Sequence, residues 1–494
     1  MKVSVKSKRI FNSLILLLLG YFLFLNLKGS LEQVSYHVLH IDERQVIDSI
    51  LNVFQINDEF GRFDSVENEV LKKILIVLGE LIIGGNLDFG RLWNNLFVFI
   101  AGPFYFINTE TMIIIERLVQ ISFFYISIIY FAYNFIDYKK APLFLLASFS
   151  VPGAYYIIEN PKPDSLLMLF LLISFKKIFK DEKYNLGFLF IGIAIGLKII
   201  AVVPAIVLGL YLIYPLRKID KLKDIFKINF YTIIGLIIAQ PALLIPHPKT
   251  YSRIISANIH ASRYNQEKFL SFNFDNLQNW FVELSQYYNL FTVFFGLLYI
   301  GVLYEILQNL LRKRNKEINY YLVSFVITSF FILLNVERIW IYYLYVPTLF
   351  LLFYIFSLSE IKNFSSRLLT VLLLIISLSG LNTHYEKISN TYFAIDLIKE
   401  ATMFETIAFI QDEYLVGESV YNLVYWDPDF YFPRQGVTYE DEFKILENWE
   451  EGIQLQPLYS KVDFIVTKSK FKITDNKIKE QNIGDLNIYF IKND

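Results

Sequence analysis

The run "GIAIGLKIIAVVPA", residues 192–205, carries a single lysine, Lys198, in the middle of an apolar stretch long enough to cross a bilayer. Ionisable side chains at membrane depth are costly unless they face a polar cavity or a partner, so Lys198 is a functional candidate. The full apolar run, 186–214, is either one tilted helix or two short helices that meet near Lys198. A broken helix would expose the lysine to a polar cavity, whereas from a continuous helix its ammonium would extend toward the membrane surface.

The whole chain is more apolar than a soluble domain of this length could bury. Of its 494 residues, 55% are hydrophobic and 17% are aromatic, and the mean hydropathy is +0.42. This composition indicates an integral membrane protein. The formal net charge of −1 says little about partners, and we expect no nucleic-acid partner. Because the chain has no cysteine, disulfides, Cys-ligated zinc and iron–sulfur clusters are excluded.

Many further apolar runs approach the length of about 20 residues that a membrane-spanning helix needs. The stretch 71–85 is shorter and contains Lys72, Lys73 and Glu80, so it is either a span or a helix at the membrane surface. The sequence therefore predicts an α-helical polytopic membrane protein with about 11 to 13 transmembrane helices. The other runs lie near 10–27, 92–108, 111–136, 140–158, 164–179, 226–246, 287–311, 319–335, 339–357 and 367–381.

Basic residues predict the orientation of these helices. The N-terminus "MKVSVKSKR" and the short loops 216–227 and 312–316 are rich in lysine and arginine, which places them in the cytoplasm. We interpret the first run as an uncleaved signal anchor. The segment 28–91, with interfacial helices, and the segment 247–286 then form external loops. The protein is expected to be a multi-pass protein of the cell (inner) membrane.

The composition changes to a mixed polar pattern after Thr383. A helical pattern is followed by the strand-like runs "ESVYNLVYW", "VDFIVTKS" and "NIYFIK". This predicts a transmembrane module over residues 1–383 and a small extracytoplasmic α/β domain over 384–494. The C-terminal domain has no Gly-rich phosphate loop, metal-ligand spacing or nucleophile elbow, so we assign it to packing, acceptor docking or partner binding.

Four charged residues stand at the ends of apolar runs. In "NPKPDSLLMLF", residues 160–170, Lys162 and Asp164 bracket a proline where a helix should begin. An aspartate there is also an ordinary helix cap. Arg117 and Arg338 each follow a glutamate, and interfacial anchoring or local pairing explains them about as well as ligand binding does.

The external loop "IPHPKTYSRIISANIHASRYNQEK", residues 245–268, is basic although it lies on the non-cytoplasmic side. Arg253, Arg263, His247 and His260 would suit the phosphate of a lipid-linked molecule at headgroup level. Attraction to bulk anionic headgroups is the alternative. The two histidines alone are not a metal signature.

Two adjacent acids, Asp42 and Glu43, follow the first apolar run in "YHVLHIDERQ", residues 36–45. They are either solvated acids that cap the amphipathic helix "ERQVIDSILNVF" or carboxylates aimed at a membrane cavity. A carboxylate in such a cavity, within hydrogen-bond reach of a hydroxyl, can act as a general base.

The order of these motifs resembles that of the GT-C superfamily, which are integral-membrane glycosyltransferases. The chain is similar to the bacterial members of the dolichyl-phosphate-mannose-protein mannosyltransferase and aminoarabinose transferase group. The resemblance rests on the acidic pair, "KPDSLLMLF", "GIAIGLKIIAVVPA", the basic loop after "LLIPHP" and "ERIWIYYLYVPTLFLLF", and "HIDE" is similar to the "HPDE" of eukaryotic members. The chain departs from the pattern at His40-Ile41 and in a long insert at about 55–85.

The resemblance implies transfer of a sugar from a polyprenyl-phosphate-linked donor to a lipid, glycan or protein acceptor, by a single displacement that inverts the anomeric centre. Asp42 would be the base, and Glu43 would be its orienting neighbour or the alternative base. The donor phosphate would be bound by cationic side chains, with no cofactor and no metal. These phosphate ligands would be Lys198, Lys162, Arg253, Arg263, His247 and His260, supported by Asp164, Arg117 and Arg338.

Two other classes of function remain open from the sequence. A lipid-linked oligosaccharide polymerase or ligase would share the spans and the external cations. A lipid-carrier flippase or transporter would share the broken helices but should show repeat-related halves, and the sequence shows no such symmetry.

Overall fold

The structure is a computed structural model that describes most of the helical part of the chain and three strands near its C-terminus. The chain divides into two units, with a boundary between Leu381 and Asn382. The functional division at residues 383 and 384 stays a prediction. The described residues are 41–56, 64–84, 90–137, 140–151, 154–159, 162–213, 222–245, 274–287, 289–312, 316–336, 341–357, 464–467, 478–483 and 486–491, with isolated positions between 13 and 24 and at 251, 254 and 372.

The larger unit is α-helical, in agreement with the helical class that the apolar runs predict. Short 3₁₀ turns connect several helices, and the chain makes one turn of π-helix at Lys176–Lys180. The α-helices found in the described residues are α1 (Ile41–Phe54), α2 (Glu69–Ile83), α3 (Arg91–Ile100), α4 (Thr109–Phe135), α5 (Ala141–Ser150), α6 (Ala154–Glu159), α7 (Asp164–Phe175), α8 (Tyr184–Leu197), α9 (Val202–Ile213), α10 (Leu222–Ala239), α11 (Phe274–Tyr287), α12 (Asn289–Arg312), α13 (Lys316–Asn335) and α14 (Tyr345–Ser357).

Helix α4 has the length and apolar composition to cross a bilayer, and it is the one helix in the described ranges that has both. Its 27 residues begin after Asn108, whose side chain accepts a hydrogen bond from the backbone N–H of Thr111. Shorter apolar helices include α8, α9, α13 and α14. The expected count of 11 to 13 transmembrane helices therefore stays a prediction.

Several apolar runs that looked continuous in sequence are divided in the structure. The run near 92–108 is helix α3 followed by a 3₁₀ turn, Gly102–Phe106, because Pro103 lacks the N–H that would continue the helix. The run near 140–158 likewise divides into α5 and α6 on either side of "VPG". The run 186–214 is two helices with the break at Lys198, which decides between the alternatives left open by the sequence.

Helices α8 and α10 approach each other closely at their backbones. A Cβ atom added to Gly192 would lie 2.0 Å from the carbonyl oxygen of Thr232, and one added to Gly235 would lie 2.0 Å from that of Leu189. One turn further along, Gly196 faces Ala239. Small residues four positions apart on both helices allow this contact, as in helix pairs within membranes.

The smaller unit contains a three-stranded antiparallel sheet with strand order β1-β3-β2. Strand β1 (Phe464–Thr467) falls within the predicted run "VDFIVTKS", and β3 (Leu486–Ile491) overlaps the predicted run "NIYFIK", which confirms those two strands. Strand β2 (Ile478–Ile483) was missed because "IKEQNI" lacks apolar alternation. The predicted strand "ESVYNLVYW" and the helix preceding it lie outside the described residues.

The glycine contact between α8 and α10 predicts opposite effects for two Gly→Ala substitutions. Gly192→Ala should lower the free energy of unfolding by about 1–3 kcal/mol, because the backbones must separate. Gly209→Ala in helix α9 should leave stability unchanged or raise it by about 0.5–1 kcal/mol, because an added Cβ meets no atom within 4 Å. Thermal unfolding of the purified protein in detergent measures both. Equal stability of the two variants would contradict the close approach.

Candidate functional site

Asp164 is the first residue of helix α7. Pro163 precedes it, and the Pro163 carbonyl accepts the first helical hydrogen bond, from the backbone N–H of Leu167 at 2.8 Å. Proline suits this position because its φ is already close to the helical value.

Lys198 occupies the break between α8 and α9. Its backbone is extended, with φ −158° and ψ 126°, and a 3₁₀ turn, Ile199–Ala201, follows it. The Lys198 N–H donates to the Ala194 carbonyl and the Lys198 carbonyl accepts from the Ala201 N–H, each at 3.1 Å. The break is therefore hydrogen-bonded on both sides and places the lysine side chain between two helix ends.

The two residues form a buried ion pair. The Lys198 Nζ lies 3.0 Å from one carboxylate oxygen of Asp164 and 2.9 Å from the other, and the side chains are 9% and 2% exposed. The ring centroid of Tyr343 lies 4.8 Å from the same ammonium. Because a buried charge needs a partner nearby, the carboxylate and the aromatic face stabilise the protonated lysine.

The segment Gly90–Arg91 also contacts the helix break, in addition to α7 and Tyr343. The Gly90 N–H donates to the Leu197 carbonyl at 3.2 Å, and the Arg91 N–H donates to the Gln240 side-chain oxygen at 2.9 Å. A Cβ atom on Gly90 would lie 2.4 Å from the Gly196 carbonyl oxygen. The segment before α3, the end of α8 and the end of α10 therefore meet beside Lys198.

A second buried charged contact joins α2 to α3. The Arg91 side chain is fully buried, and one guanidinium nitrogen donates to the Glu80 carbonyl while lying 3.8 Å from the Glu80 carboxylate. Gly84 lies against that carboxylate, so a larger residue there would displace it. The opposite face of α2 is apolar and exposed at Val70 and Ile74. Glu80 thus faces inward, whereas Val70 and Ile74 face outward together with the exposed Glu69 and Lys73.

Helix α4 holds the first turn of α7 through polar side chains. The Ser127 hydroxyl donates to the Ser165 carbonyl at 2.9 Å, and the Ser165 hydroxyl donates to the Gln120 side-chain oxygen at 3.5 Å. The Gln120 amide nitrogen donates to the Ile157 carbonyl at the end of α6. This network fixes the position of Asp164, which is the neighbour of Ser165.

The structure brings together two of the sequence-predicted site residues, Asp164 and Lys198. Lys162 is also buried, two residues before Asp164, and Arg117 is half-buried on α4 beside the buried Glu116. Asp42 and Glu43 lie in the first turn of α1, but their side chains are outside the described part of the structure. Arg253, Arg263, His247, His260 and Arg338 lie outside the described residues.

Sequence reasoning missed Tyr343, Gly90, Arg91, Gln240, Gln120 and Ser165. Gly90 and Arg91 stand in "LDFGRLW", and Tyr343 stands in "IWIYYLY". The buried polar residue types in otherwise apolar runs were a signal that could have identified Gln120 and Gln240. Among the described residues, no three or more histidine and acidic side chains form a cluster suited to a metal ion. The expectation of no metal stays a prediction.

Comparison with protein-family models, with curated proteins and with solved structures finds no match to this chain. The GT-C resemblance therefore rests on the motifs in the sequence.

The buried ion pair predicts a strong coupling between Lys198 and Asp164. Either Asp164→Asn or Lys198→Met alone should lower the free energy of unfolding by about 3–5 kcal/mol, because Asp164→Asn leaves a buried cation and Lys198→Met a buried carboxylate. The double variant should recover most of that loss. A double-mutant cycle of thermal unfolding in detergent measures the coupling.

The pair Lys177–Asp181 is the matched control. Its atoms lie 2.6 Å apart, and its side-chain hydrogen bond holds the pKa of Asp181 below its usual range, but both side chains are partly exposed. The same cycle there should show little coupling, because water screens exposed pairs. Equal coupling free energies in the two cycles would show that burial does not strengthen the Lys198–Asp164 pair.

Proposed function

We propose that this chain is an integral-membrane glycosyltransferase of the GT-C type. It transfers a sugar from a polyprenyl-phosphate-linked donor to a lipid, glycan or protein acceptor on the extracytoplasmic face. The observation that carries the proposal is the convergence of Asp164 and Tyr343 on the ammonium of Lys198. The three residues come from three of the motifs on which the resemblance rests, 162–170, 192–205 and 337–353, which are far apart in the chain.

The distribution of polarity supports membrane insertion. Ionisable side chains that would normally be hydrated are buried, whereas many large apolar side chains are exposed. Both patterns are typical of a protein whose surface faces lipid and whose interior holds the functional charges. The buried residues are Glu80, Arg91, Glu116, Lys162, Asp164, Lys198 and Glu305, and the exposed ones include Phe99, Ile129, Ile206, Leu210, Phe226, Phe230 and Ile300.

The contacts of α1 support a functional link between the acidic pair and Lys198. Helix α1, which begins at Ile41, packs against α2 and α3. Helix α3 begins beside Gly90, which donates its N–H to Leu197 at the helix break. The helix that contains Asp42 is thus connected to the helix break that contains Lys198 through α3 and Gly90.

The chemistry needs one base and one cationic site. In the proposed step the acceptor oxygen forms a bond to the anomeric carbon, and the bond from that carbon to the donor phosphate oxygen breaks. The electron pair of the broken bond leaves with the lipid phosphate. Asp42 takes the acceptor proton, and Glu43 orients it. Lys198 and Lys162 stabilise the charge that develops on the phosphate, with the basic loop residues Arg253, Arg263, His247 and His260.

Asp42→Asn tests the base. Transfer should fall on the order of 100- to 10,000-fold, because an amide cannot accept the proton. The measurement is the rate of product formation with membranes that contain equal amounts of each protein. Glu67→Gln is the control, since Glu67 is an exposed acid in the same external segment and should leave the rate unchanged. Unchanged transfer by Asp42→Asn would refute the assignment of the base.

The donor itself can be identified directly. Lipids that co-purify with the protein should include a polyprenyl species, because a membrane-embedded donor site exchanges slowly with detergent. Mass spectrometry of the organic extract gives the head group and so names the sugar. An extract that contains only bulk phospholipids, in repeated preparations without delipidation, would count against this donor class.

A lipid-carrier flippase or transporter is the second candidate. The broken helix with a buried ion pair favours it, because discontinuous helices also form transporter sites. Proteoliposomes separate the two functions. Accumulation of the carrier lipid in the opposite leaflet without a covalent product indicates transport, and a new glycosidic product indicates the transferase.

A further inference from the structure

The ion pair has a consequence for the charge of the ligand that Lys198 can accept. Both carboxylate oxygens of Asp164 lie about 3 Å from the Lys198 ammonium. An anion that binds Lys198 must therefore share the ammonium with this carboxylate. Tyr343 covers another side of the ammonium. The local charge presented by Lys198 and Asp164 together is zero.

The start of helix α7 is held in place beside Lys198. Asp164 begins the helix, and its neighbour Ser165 is held by Ser127 and Gln120 of α4. The backbone that carries the carboxylate is therefore fixed close to any anion bound at Lys198.

The donor and the spent carrier of the proposed reaction differ in charge. A sugar linked to a lipid through one phosphate is a phosphodiester with a single negative charge. After transfer, the carrier is a phosphate monoester with a charge of about −1.5 to −2 at pH 7, because its second pKa is near 6. The two ligands share the same lipid and differ by up to one unit of charge.

We propose that Asp164 is a specificity-determining residue that lowers the affinity of the site for the phosphomonoester product relative to the phosphodiester donor; this inference rests on the proposed function. The second negative charge of the product is attracted by Lys198 and repelled by Asp164, so it gains less from the pair than it would from Lys198 alone. Removing a dianion from water costs more than removing a monoanion, and Asp164 reduces what Lys198 returns for the difference. Release of the spent carrier is thus favoured, and the next donor binds.

The test compares two probes, undecaprenyl phosphate and its methyl phosphodiester. Dissociation constants are measured for the purified full chain in nanodiscs of phosphatidylcholine. The ratio of the two dissociation constants in the wild-type protein is the reference for the variants. The same ratio in a folded Asp164→Asn protein would overturn the proposal.

Asp164→Asn should then raise the affinity for the monoester relative to the diester by at least about tenfold, because the second charge meets Lys198 without a nearby carboxylate. Lys162 is present in both proteins, so the ratio isolates Asp164. Asp164→Glu keeps the charge and should keep the wild-type preference, which provides a test if Asp164→Asn does not fold. Loss of the preference in a folded Asp164→Glu would overturn the proposal.

Asp181→Asn is the control for a general loss of negative charge, because Asp181 forms the partly exposed pair with Lys177. It should leave both affinities unchanged. An equal change of both affinities in Asp164→Asn would overturn the inference about Asp164 but leave the donor class standing. Failure of the wild-type protein to bind either probe would overturn the proposed donor class as well as the inference.

Discussion

A lysine ammonium removed from water requires an opposite charge at hydrogen-bond distance, and Lys198 finds it in Asp164. This requirement determines much of what surrounds the pair. Helix α8 must end so that the lysine can turn toward α7, and α7 must begin where its first side chain reaches the ammonium. At the break, the Lys198 N–H donates to the Ala194 carbonyl and the Lys198 carbonyl accepts from the Ala201 N–H, so both backbone polar groups of Lys198 are paired.

The glycine contacts are the geometric condition for that arrangement. Gly192 and Gly235 bring α8 and α10 within backbone contact, and Gly90 then fits directly against Gly196. A side chain at any of these positions would separate the segments that converge at the break. The local cost of glycine in a helix is offset by packing that no larger residue permits.

The sequence was informative where physical chemistry acts locally. A break at Lys198 was one of the two alternatives that a lysine between a glycine and a proline left open, the start of α7 follows from Pro163 and Asp164, and β1 and β3 follow from apolar runs. Contacts between distant segments were not predictable. Nothing local in the chain indicates that Asp164 pairs with Lys198, 34 positions later.

A buried ion pair contributes little net stability, since apolar residues of similar volume often replace such a pair at no loss. A reason beyond stability is therefore needed for a lysine in this interior. In the proposed function Lys198 acts on phosphate as a cation, and the carboxylate that pairs with it reduces part of its attraction for anions. On that proposal, Asp164 both accompanies the buried cation and limits how much negative charge the site can hold.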